Sequence, residues 1–304
     1  GRGARPRAGR QSNAPLVRVR EVLTKRCGRP SVPRARSDHA SIEYLDAGLG
    51  DPALLLLPEW CATRAAFEPV LPHLRARRRV LSLDWRGHGA SGAAQEDYGV
   101  DDLTQDAVAV VADSGAQSVV PVAMAQAGWV AVELHRRLGA VIPGLVFVDW
   151  MVSRASPALL MTLEELRSAA DRDEVVAAVL QEWQGGVTSK ALAACLADMG
   201  AAPGDLWERA AREIESSYAR YGSPLAALAG PGHPPLVLHL VPAGGRYCIG
   251  EREHAYAAEH HWYHVAILEA RSHFPLFEAP QRAAEEIERF VERVGGRHPT
   301  RRTV

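Results

Sequence analysis

Short apolar runs recur along the chain, and segments with helical periodicity separate them. Each run is apolar almost throughout, as expected for strands that are buried on both faces of a parallel sheet. The alternation therefore predicts an α/β fold with a mostly parallel central sheet and helices on both faces. The predicted strands are Ser41–Asp46, Ala53–Leu57, Arg79–Asp84, Ser118–Val122, Leu145–Asp149, Pro235–Val241 and Val265–Glu269. The predicted helices between them are Ala65–Arg75, Val100–Ala112, Trp129–Arg137 and Pro280–Val294.

One interval breaks the alternation. Between Ser156 and Tyr221 the sequence has four amphipathic segments and no convincing strand. We expect a helical lid over the carboxyl edge of the sheet, where open α/β sheets bind ligands. The predicted organisation is a basic tail over residues 1–38, the first part of the core over 39–155, the lid over 156–222, the second part of the core over 223–296 and a tail over 297–304. The N-terminal tail is expected to be disordered because its first 20 residues hold six Arg and no acid.

Composition gives no sign of nucleic acid or a membrane as a partner. The net charge is −1, and no apolar run approaches the ~20 residues of a membrane span. The four cysteines are far apart, with neither metal-ligand spacing nor the density of a disulfide scaffold. We therefore expect a cytoplasmic protein with no metal site.

The segment Ala123-Met124-Ala125-Gln126-Ala127 joins an apolar strand to a helix. This is the layout of the nucleophile elbow G-x-S-x-G, a sharp turn that lifts a serine into an active site. Here Ala125 stands at the tip and has no hydroxyl, so acyl-enzyme chemistry at this position is excluded.

Two further residues stand where predicted strands end. Asp149 closes LVFVDW, and His273 lies in the loop RSHFPLF. Elbow, acid and histidine follow one another in the order of α/β-hydrolase catalytic residues. Asp149 would accept the Nδ1–H of His273 and make Nε2 more basic. Glu251 and Glu253 are weaker candidates for the acid, because they follow their strand by nine or more residues in a polar segment.

An oxyanion hole would need only backbone N–H groups, which Gln126 and Trp60 are placed to provide. Cys61 beside this loop is expected to be a packed side chain, and His88 is expected to brace a loop. A base, an oxyanion hole and an enclosed pocket suit removal of a proton from a bound substrate, or activation of water by the base.

The motifs LLLLPEWC, LDWRGHGASG, VPVAMAQAGWVAVEL, FVDWM, YGSPL and SHFP occur in this order between Ser41 and Gly295. Together they resemble the cofactor-independent 2,4-dioxygenases of 3-hydroxy-4-oxoquinoline and 3-hydroxy-4-oxoquinaldine, a family with the α/β-hydrolase fold. The resemblance implies that His273, paired with Asp149, removes the 3-hydroxyl proton of the substrate. The anion would then react directly with O2, without metal or flavin, and the heteroring would open with release of carbon monoxide. Trp207 on the lid falls where the family has a pocket tryptophan.

The chain departs from the family at the polar contacts to the substrate. The family's elbow reads Ser-His-Ser-His-Gly-Gly-Trp, so Met124, Ala125 and Gln126 replace a His, a Ser and a His. Ala62 replaces another His, and Glu59 replaces a Gly. The sequence leaves open whether Glu59 faces the pocket or solvent, and whether Trp207 lines the pocket or only the lid core.

Three functions remain open from the sequence. The first is oxygenolytic ring cleavage, with O2 and a small aromatic or heteroaromatic substrate as partners and no cofactor. The second is non-oxidative chemistry by the same base, as in a lyase, cyclase, isomerase or water-activating hydrolase. The third is a non-catalytic small-molecule binder, which the loss of the elbow hydroxyl suggests.

Overall fold

The central sheet has eight strands, and most neighbouring pairs run parallel. The computed structural model describes residues 32–38, 40–94, 96–168, 170, 172–230, 234–244 and 251–295. The strand order is β1-β2-β4-β3-β5-β6-β7-β8. Only the pairs β1–β2 and β2–β4 are antiparallel. The strands are β1 (Arg34–Ser37), β2 (Ala40–Ala47), β3 (Ala53–Leu57), β4 (Val80–Leu83), β5 (Val119–Met124), β6 (Gly144–Val148), β7 (Leu236–Pro242) and β8 (Tyr263–Leu268).

The predicted fold class is confirmed, including the lid. Five helices of the described residues stand between β6 and β7, and the first four of them, α4 to α7, are called the lid below. The helices of the described residues are α1 (Leu71–Arg75), α2 (Val100–Ser114), α3 (Gly128–Leu138), α4 (Pro157–Arg167), α5 (Arg172–Gln184), α6 (Lys190–Gly200), α7 (Gly204–Tyr221), α8 (Pro224–Leu228), α9 (Glu251–Glu259), α10 (Pro275–Glu278) and α11 (Pro280–Gly295). None of the helices within the described ranges combines the length and apolarity needed to cross a membrane.

Burial along the strands follows their position in the sheet. Every residue of β3, β4, β5, β6 and β7 is buried, whereas β2, next to the end of the sheet, is only partly buried. The strands β1 and β8 at the two ends are only partly buried. The continuous apolar runs of the sequence thus mark strands that are covered on both faces.

Several elements differ from the sequence prediction: the short helices α8 and α10 were not predicted, and the predicted helix Ala65–Arg75 is a 3-10 turn at Arg64–Phe67 followed by α1. The strand β1 lies inside residues 1–38, which were assigned to the tail; it alternates exposed Arg34 and Arg36 with buried Ala35 and Ser37. This half-buried alternation contains a single apolar side chain, so composition concealed it. The helix α9 occupies a stretch interpreted as a polar segment. Residues 1–31 and 296–304 lie outside the described residues, and the predicted domain boundaries stay a prediction.

Candidate active site

Three residues at the carboxyl edge of the sheet have a left-handed backbone, although none is glycine. Cys61, Ala125 and Asp149 have φ angles of 63°, 41° and 44°. They follow β3, β5 and β6, which are neighbours in the sheet. Strained non-glycine residues tend to cluster at active sites, where the surrounding structure holds them in place. The edge at which ligands bind in this class of fold is therefore also the strained edge.

The turn at Ala125 has the geometry of the elbow that the sequence predicts. Strand β5 ends at Met124, a 3-10 turn spans Ala125–Ala127, and α3 begins at Gly128. A Cβ on Gly128 would lie 2.2 Å from the ring of Trp150, so only glycine fits this position. The tip therefore presents backbone and a methyl group to the cavity, since Ala125 is one of its lining residues.

Asp149 and His273 are in direct contact. Nδ1 of His273 lies 2.7 Å from Oδ2 of Asp149, and both side chains are buried. The pair joins the turn after β6 to the loop after β8, 124 positions apart. Glu251 and Glu253, the rival acids, belong to α9 instead. The carboxylate fixes the orientation of the imidazole ring and favours its charged form.

Glu59 points at the same histidine from the opposite side. Its Oε2 lies 3.1 Å from Nε2 of His273, and its side chain is 4% exposed. Burial by itself lowers the pKa of His273, but the negative charges of Glu59 and Asp149 and their hydrogen bonds outweigh it and raise the pKa to about 10. The two carboxylates therefore favour the imidazolium form of His273, and Glu59 faces this histidine and the cavity rather than solvent.

Trp183 covers the ring of His273, and the sequence analysis missed it. The two rings stack with centroids 4.6 Å apart and an interplanar angle of 26°. The carbonyl of Trp183 accepts the backbone N–H of His273 at 2.8 Å. Trp183 stands at the end of α5, just before Gly185, where a Cβ would come within 2.6 Å of the carbonyl oxygen of Arg271. This close approach places the end of α5 against the loop that carries His273. Gly185 is the one feature of the sequence that could have indicated the contact.

A second buried histidine supports the turn that carries Asp149. His239 of β7 accepts the backbone N–H of Trp150 at Nε2, at 3.2 Å, and its Nδ1 lies 2.7 Å from the Tyr263 hydroxyl. Burial lowers the pKa of His239 to about 3, so the ring is neutral. Sequence reasoning took VLHLV as strand only, and nothing in its pattern marks the role of His239.

The motif DWRGHG braces the loop that carries Glu59 and Trp60. The indole of Trp85 donates to the carbonyl of Pro58 at 2.7 Å, and the N–H of Cys61 donates to Nε2 of His88 at 3.2 Å. Burial lowers the pKa of His88, which suits a neutral acceptor. Burial, and next the charge of Glu59, raise the pKa of the Cys61 thiol well above its usual value, so a thiolate nucleophile is disfavoured.

A cavity of about 390 Å³ opens above these groups and beneath the lid. This volume is in the range of small-molecule sites. The charged or titratable side chains that line it are Glu59, Asp149, Glu182 and His273. Among the described residues that line it there is no Lys or Arg, so His273 is the cation of this cavity.

Most of the predicted substrate-contacting residues line the cavity. Glu59, Trp60, Ala125, Gln126 and Trp207 do so. The side-chain oxygen of Gln126 accepts the indole N–H of Trp150 at 3.1 Å, which leaves its backbone as the part suited to an oxyanion. The indole N–H of Trp207 is bound to the carbonyl of Met199 at 3.2 Å. By contrast, no described residue pairs with the buried indole N–H of Trp60.

The structure places Met124 in the core, contrary to the expectation from the sequence. It was expected to contact the substrate, because the family has a polar residue at this position. It is buried in the core at the end of β5 and is not among the described residues that line the cavity. The turn begins one residue later, so the side chain of Met124 still belongs to the packed strand.

Comparison with known proteins agrees with this geometry. A model of the alpha/beta hydrolase family matches residues 50–286. A 2-heptyl-3-hydroxy-4-quinolone dioxygenase of Rhodococcus erythropolis is 32% identical, over 82% of this chain and 94% of that relative. A 2-heptyl-3-hydroxy-4(1H)-quinolone dioxygenase of Mycobacteroides abscessus is 30% identical, over 77% of this chain and 88% of that relative.

A solved structure extends the similarity to three dimensions. It is a variant of a protein that recognises the Pseudomonas quinolone signal and cleaves its ring, in complex with its substrate. The TM-score is 0.80 at 27% identity, with 87% of this chain and 99% of that chain covered. The comparisons favour a dioxygenase over a non-oxidative enzyme or a binder. The chain belongs to the alpha/beta hydrolase family and, within it, to the family of 3-hydroxy-4-quinolone dioxygenases.

Proposed function

We propose that this enzyme cleaves the heteroring of a 3-hydroxy-4-quinolone with O2 and without a cofactor. Removal of the 3-hydroxyl proton makes the ring electron-rich, and the anion reacts directly with O2. A bicyclic peroxide forms, and the heteroring opens with release of carbon monoxide. The protein contributes the proton acceptor, the stabilisation of the anion and an enclosed cavity.

The contact between His273 and Asp149 is the observation that carries this proposal. It stands at the floor of the cavity, with 2.7 Å between Nδ1 and Oδ2. The Asp149 carboxylate fixes the orientation of the imidazole ring. Ala125 removes the hydroxyl that hydrolytic chemistry would use, yet the strained turn is retained at φ 41°. A cavity that holds a proton acceptor but no nucleophile suits proton removal rather than acyl transfer.

The backbone N–H groups of Trp60 and Gln126 are the proposed donors to the substrate oxyanion. Both residues line the cavity, on the loops after β3 and β5. Neither donor depends on a serine, which explains how the elbow can lose its hydroxyl and keep a function.

The lid favours a substrate with an aliphatic chain on the ring. Its contribution to the cavity is mostly apolar, and the quinolone of the two curated relatives carries a 2-heptyl group. Burial of a chain is worth about 0.8 kcal/mol for each methylene group. The aliphatic side chains that the lid contributes are Leu159, Leu163, Leu166, Val179 and Ile214.

The decisive experiment follows O2 uptake and carbon monoxide release with three 3-hydroxy-4-quinolones that carry hydrogen, methyl or heptyl at position 2. We expect equal amounts of O2 consumed and carbon monoxide released, and kcat/KM that rises with chain length. An anaerobic reaction should give no product. Turnover that continues without O2, or O2 uptake without carbon monoxide, would contradict the proposal.

The proposal includes the partners and the location of the enzyme. O2 and one small heteroaromatic molecule are the partners, and no nucleic acid or membrane is involved. A cytoplasmic location is supported by the cysteines, because Cys61 and Cys195 are both buried thiols outside any disulfide.

A further inference from the structure

Glu59 lies beside Nε2 of His273, where a substrate hydroxyl would have to lie if His273 were the proton acceptor. If His273 removed the proton, as the family resemblance implies, its Nε2 would face the substrate hydroxyl. In the structure this nitrogen faces Oε2 of Glu59 at 3.1 Å. Glu59 also lines the cavity, so its carboxylate has access both to the histidine and to a bound ligand.

His273 has both ring nitrogens engaged with carboxylates. Asp149 accepts from Nδ1 and Glu59 from Nε2. Two buried carboxylates beside one imidazole favour the ring that donates from both nitrogens. An imidazolium has no lone pair with which to take a further proton. While the contact with Glu59 persists, the base must therefore be a different group.

We propose that Glu59 is the proton acceptor of this active site and that His273, kept as an imidazolium by Asp149 and Glu59, stabilises the substrate anion. This inference rests on the proposed function, because it assigns the proton transfer within that reaction. The family motif described above has glycine at this position, so the Glu59 carboxylate is a departure of this chain.

The proton transfer needs no oxidant. The O–H bond of the 3-hydroxyl group breaks, its electron pair stays on the substrate oxygen, and a new O–H bond forms on the Glu59 carboxylate. O2 then reacts with the anion, as in the proposed function. The proton leaves Glu59 for the product or for water, which restores the carboxylate for the next cycle.

Charge within the cavity favours this assignment. A substrate anion beside ionised Glu59 and Asp149 would be repelled by both. Protonation of Glu59 removes one of these charges in the step that creates the anion. The imidazolium of His273 remains as the opposite charge, and the stacked ring of Trp183 shields it on one face.

Further titratable groups lie near Glu59 besides His273. Glu182 of α5 lines the same cavity, and Asp149 lies beyond His273. The thiols of Cys61, in the same loop, and Cys195, on α6, both sense the charge of Glu59. Burial first, and then nearby carboxylates, raise the pKa of Cys195 to about 12 and that of Cys61 well above its usual value, so both thiols stay protonated near neutral pH.

The test uses three substitutions at one position and one control. Glu59→Gln keeps the size and removes the charge, Glu59→Asp keeps the charge, and Glu59→Gly restores the residue of the family motif. Glu68→Gln neutralises an exposed carboxylate near the same loop and serves as the matched control. The probe is 2-heptyl-3-hydroxy-4-quinolone, added first without O2 to record the absorption of its bound anion and then with O2 to measure turnover.

We expect wild type, Glu59→Asp and the control to ionise the bound probe near pH 7. Glu59→Gln should lose ionisation and about 10²–10⁴-fold in kcat, the usual range for removal of a general base, with a smaller change in KM. NMR titration of the His273 ring should show a pKa lowered by more than one unit in Glu59→Gln but not in the control. This readout separates loss of the charge from a general loss of folding.

The outcomes distinguish the two proposals. If Glu59→Gln or Glu59→Gly ionises the probe and turns it over as fast as wild type or faster, Glu59 is not the acceptor, while the dioxygenase assignment stands. If wild type ionises the probe but consumes no O2, and Glu59→Gln does not ionise it, Glu59 is the acceptor in an enzyme whose reaction is not oxygenolytic. An unchanged His273 pKa in Glu59→Gln would also overturn the inference.

Discussion

Two buried histidines bind the consecutive residues Asp149 and Trp150, yet their surroundings favour opposite charge states. His239 contacts the backbone N–H of Trp150 and the hydroxyl of Tyr263, which are neutral partners. His273 contacts the carboxylates of Asp149 and Glu59. The pKa is lowered to about 3 for His239, by burial, whereas for His273 the two carboxylates overcome burial and raise it to about 10.

The consecutive residues Asp149 and Trp150 account for much of this difference. One binds a histidine through its carboxylate and the other through its backbone N–H. Burial alone keeps an imidazole neutral, and a carboxylate in contact reverses the sign of the shift. The neutral ring is suited to holding the turn in place, while the charged ring is suited to stabilising an anion in the cavity.

The largest effect is expected when one of the two carboxylates that contact His273 is removed. Asp149→Asn removes one of the two charges on His273 and leaves the size of the side chain unchanged. We expect kcat to fall by about 10²–10⁴-fold, since the ring loses both its orientation and part of its charge stabilisation. O2 uptake with 2-heptyl-3-hydroxy-4-quinolone measures this loss. Asp198→Asn on the exposed face of the lid is the control, and a mutant at position 149 that keeps more than a tenth of the wild-type kcat would contradict the assignment.

The fold and the Asp149–His273 pair could be predicted because they rest on local patterns. Apolar runs identify the buried strands, amphipathic segments identify the lid, and the strand ends place Ala125, Asp149 and His273 at one edge. The pairing then followed from chain order, and the structure shows it at 2.7 Å. Strand β1 was missed because its exposed arginines resemble a solvated tail.

The remainder of the site depends on packing between distant segments. Glu59 reaches His273 across 214 positions, and only the braced loop of Pro58 and Cys61 decides which way it points. Trp183 meets His273 because the lid descends at Gly185. No periodicity or residue spacing in the sequence indicates either contact. Met124 was misassigned for a related reason, since a family position does not reveal where a strand ends.

The second effect is the pH dependence of stability, in which the two histidines act in opposite directions. The folded-state pKa of His273 is raised from 6.5 to about 10. The contribution of this charged ring to the free energy of unfolding is therefore fully present below pH 6.5 and is lost as the pH rises toward 10. The folded-state pKa of His239 is lowered from 6.5 to about 3. The contribution of this neutral ring to the free energy of unfolding is therefore present above pH 6.5 and is lost as the pH falls toward 3. Each slope is at most about 1.4 kcal/mol per pH unit.

Urea unfolding at a series of pH values measures these slopes. The difference in unfolding free energy between wild type and Glu59→Gln should decline as the pH rises toward 10. The difference in unfolding free energy between wild type and His239→Gln should decline as the pH falls toward 3. If Glu59→Gln leaves the alkaline slope unchanged, Glu59 does not raise the pKa of His273 in the folded protein.

A smaller effect is expected from the neutral histidine. His239→Phe fills the space but leaves the N–H of Trp150 and the hydroxyl of Tyr263 without their partner. Loss of such a buried partner costs about 1–3 kcal/mol of unfolding free energy. His239→Gln retains an acceptor and a donor and should recover part of the loss. Equal stability of the two variants in urea unfolding would show that the hydrogen bonds of His239 do not hold this turn.

The smallest effect concerns the aromatic cover of the charged histidine. Trp183→Leu removes the stacked ring, and a cation over an aromatic face is stabilised by about 0.5–2 kcal/mol. We expect the pKa of His273, followed by NMR, to fall by about one unit. Trp207→Leu is the matched control, because Trp207 lies beside Trp183 with ring centroids 6.2 Å apart and also lines the cavity. If Trp183→Leu raises the pKa instead, the tryptophan acts by excluding water from His273, because water around the ring would relieve the burial that opposes its charge.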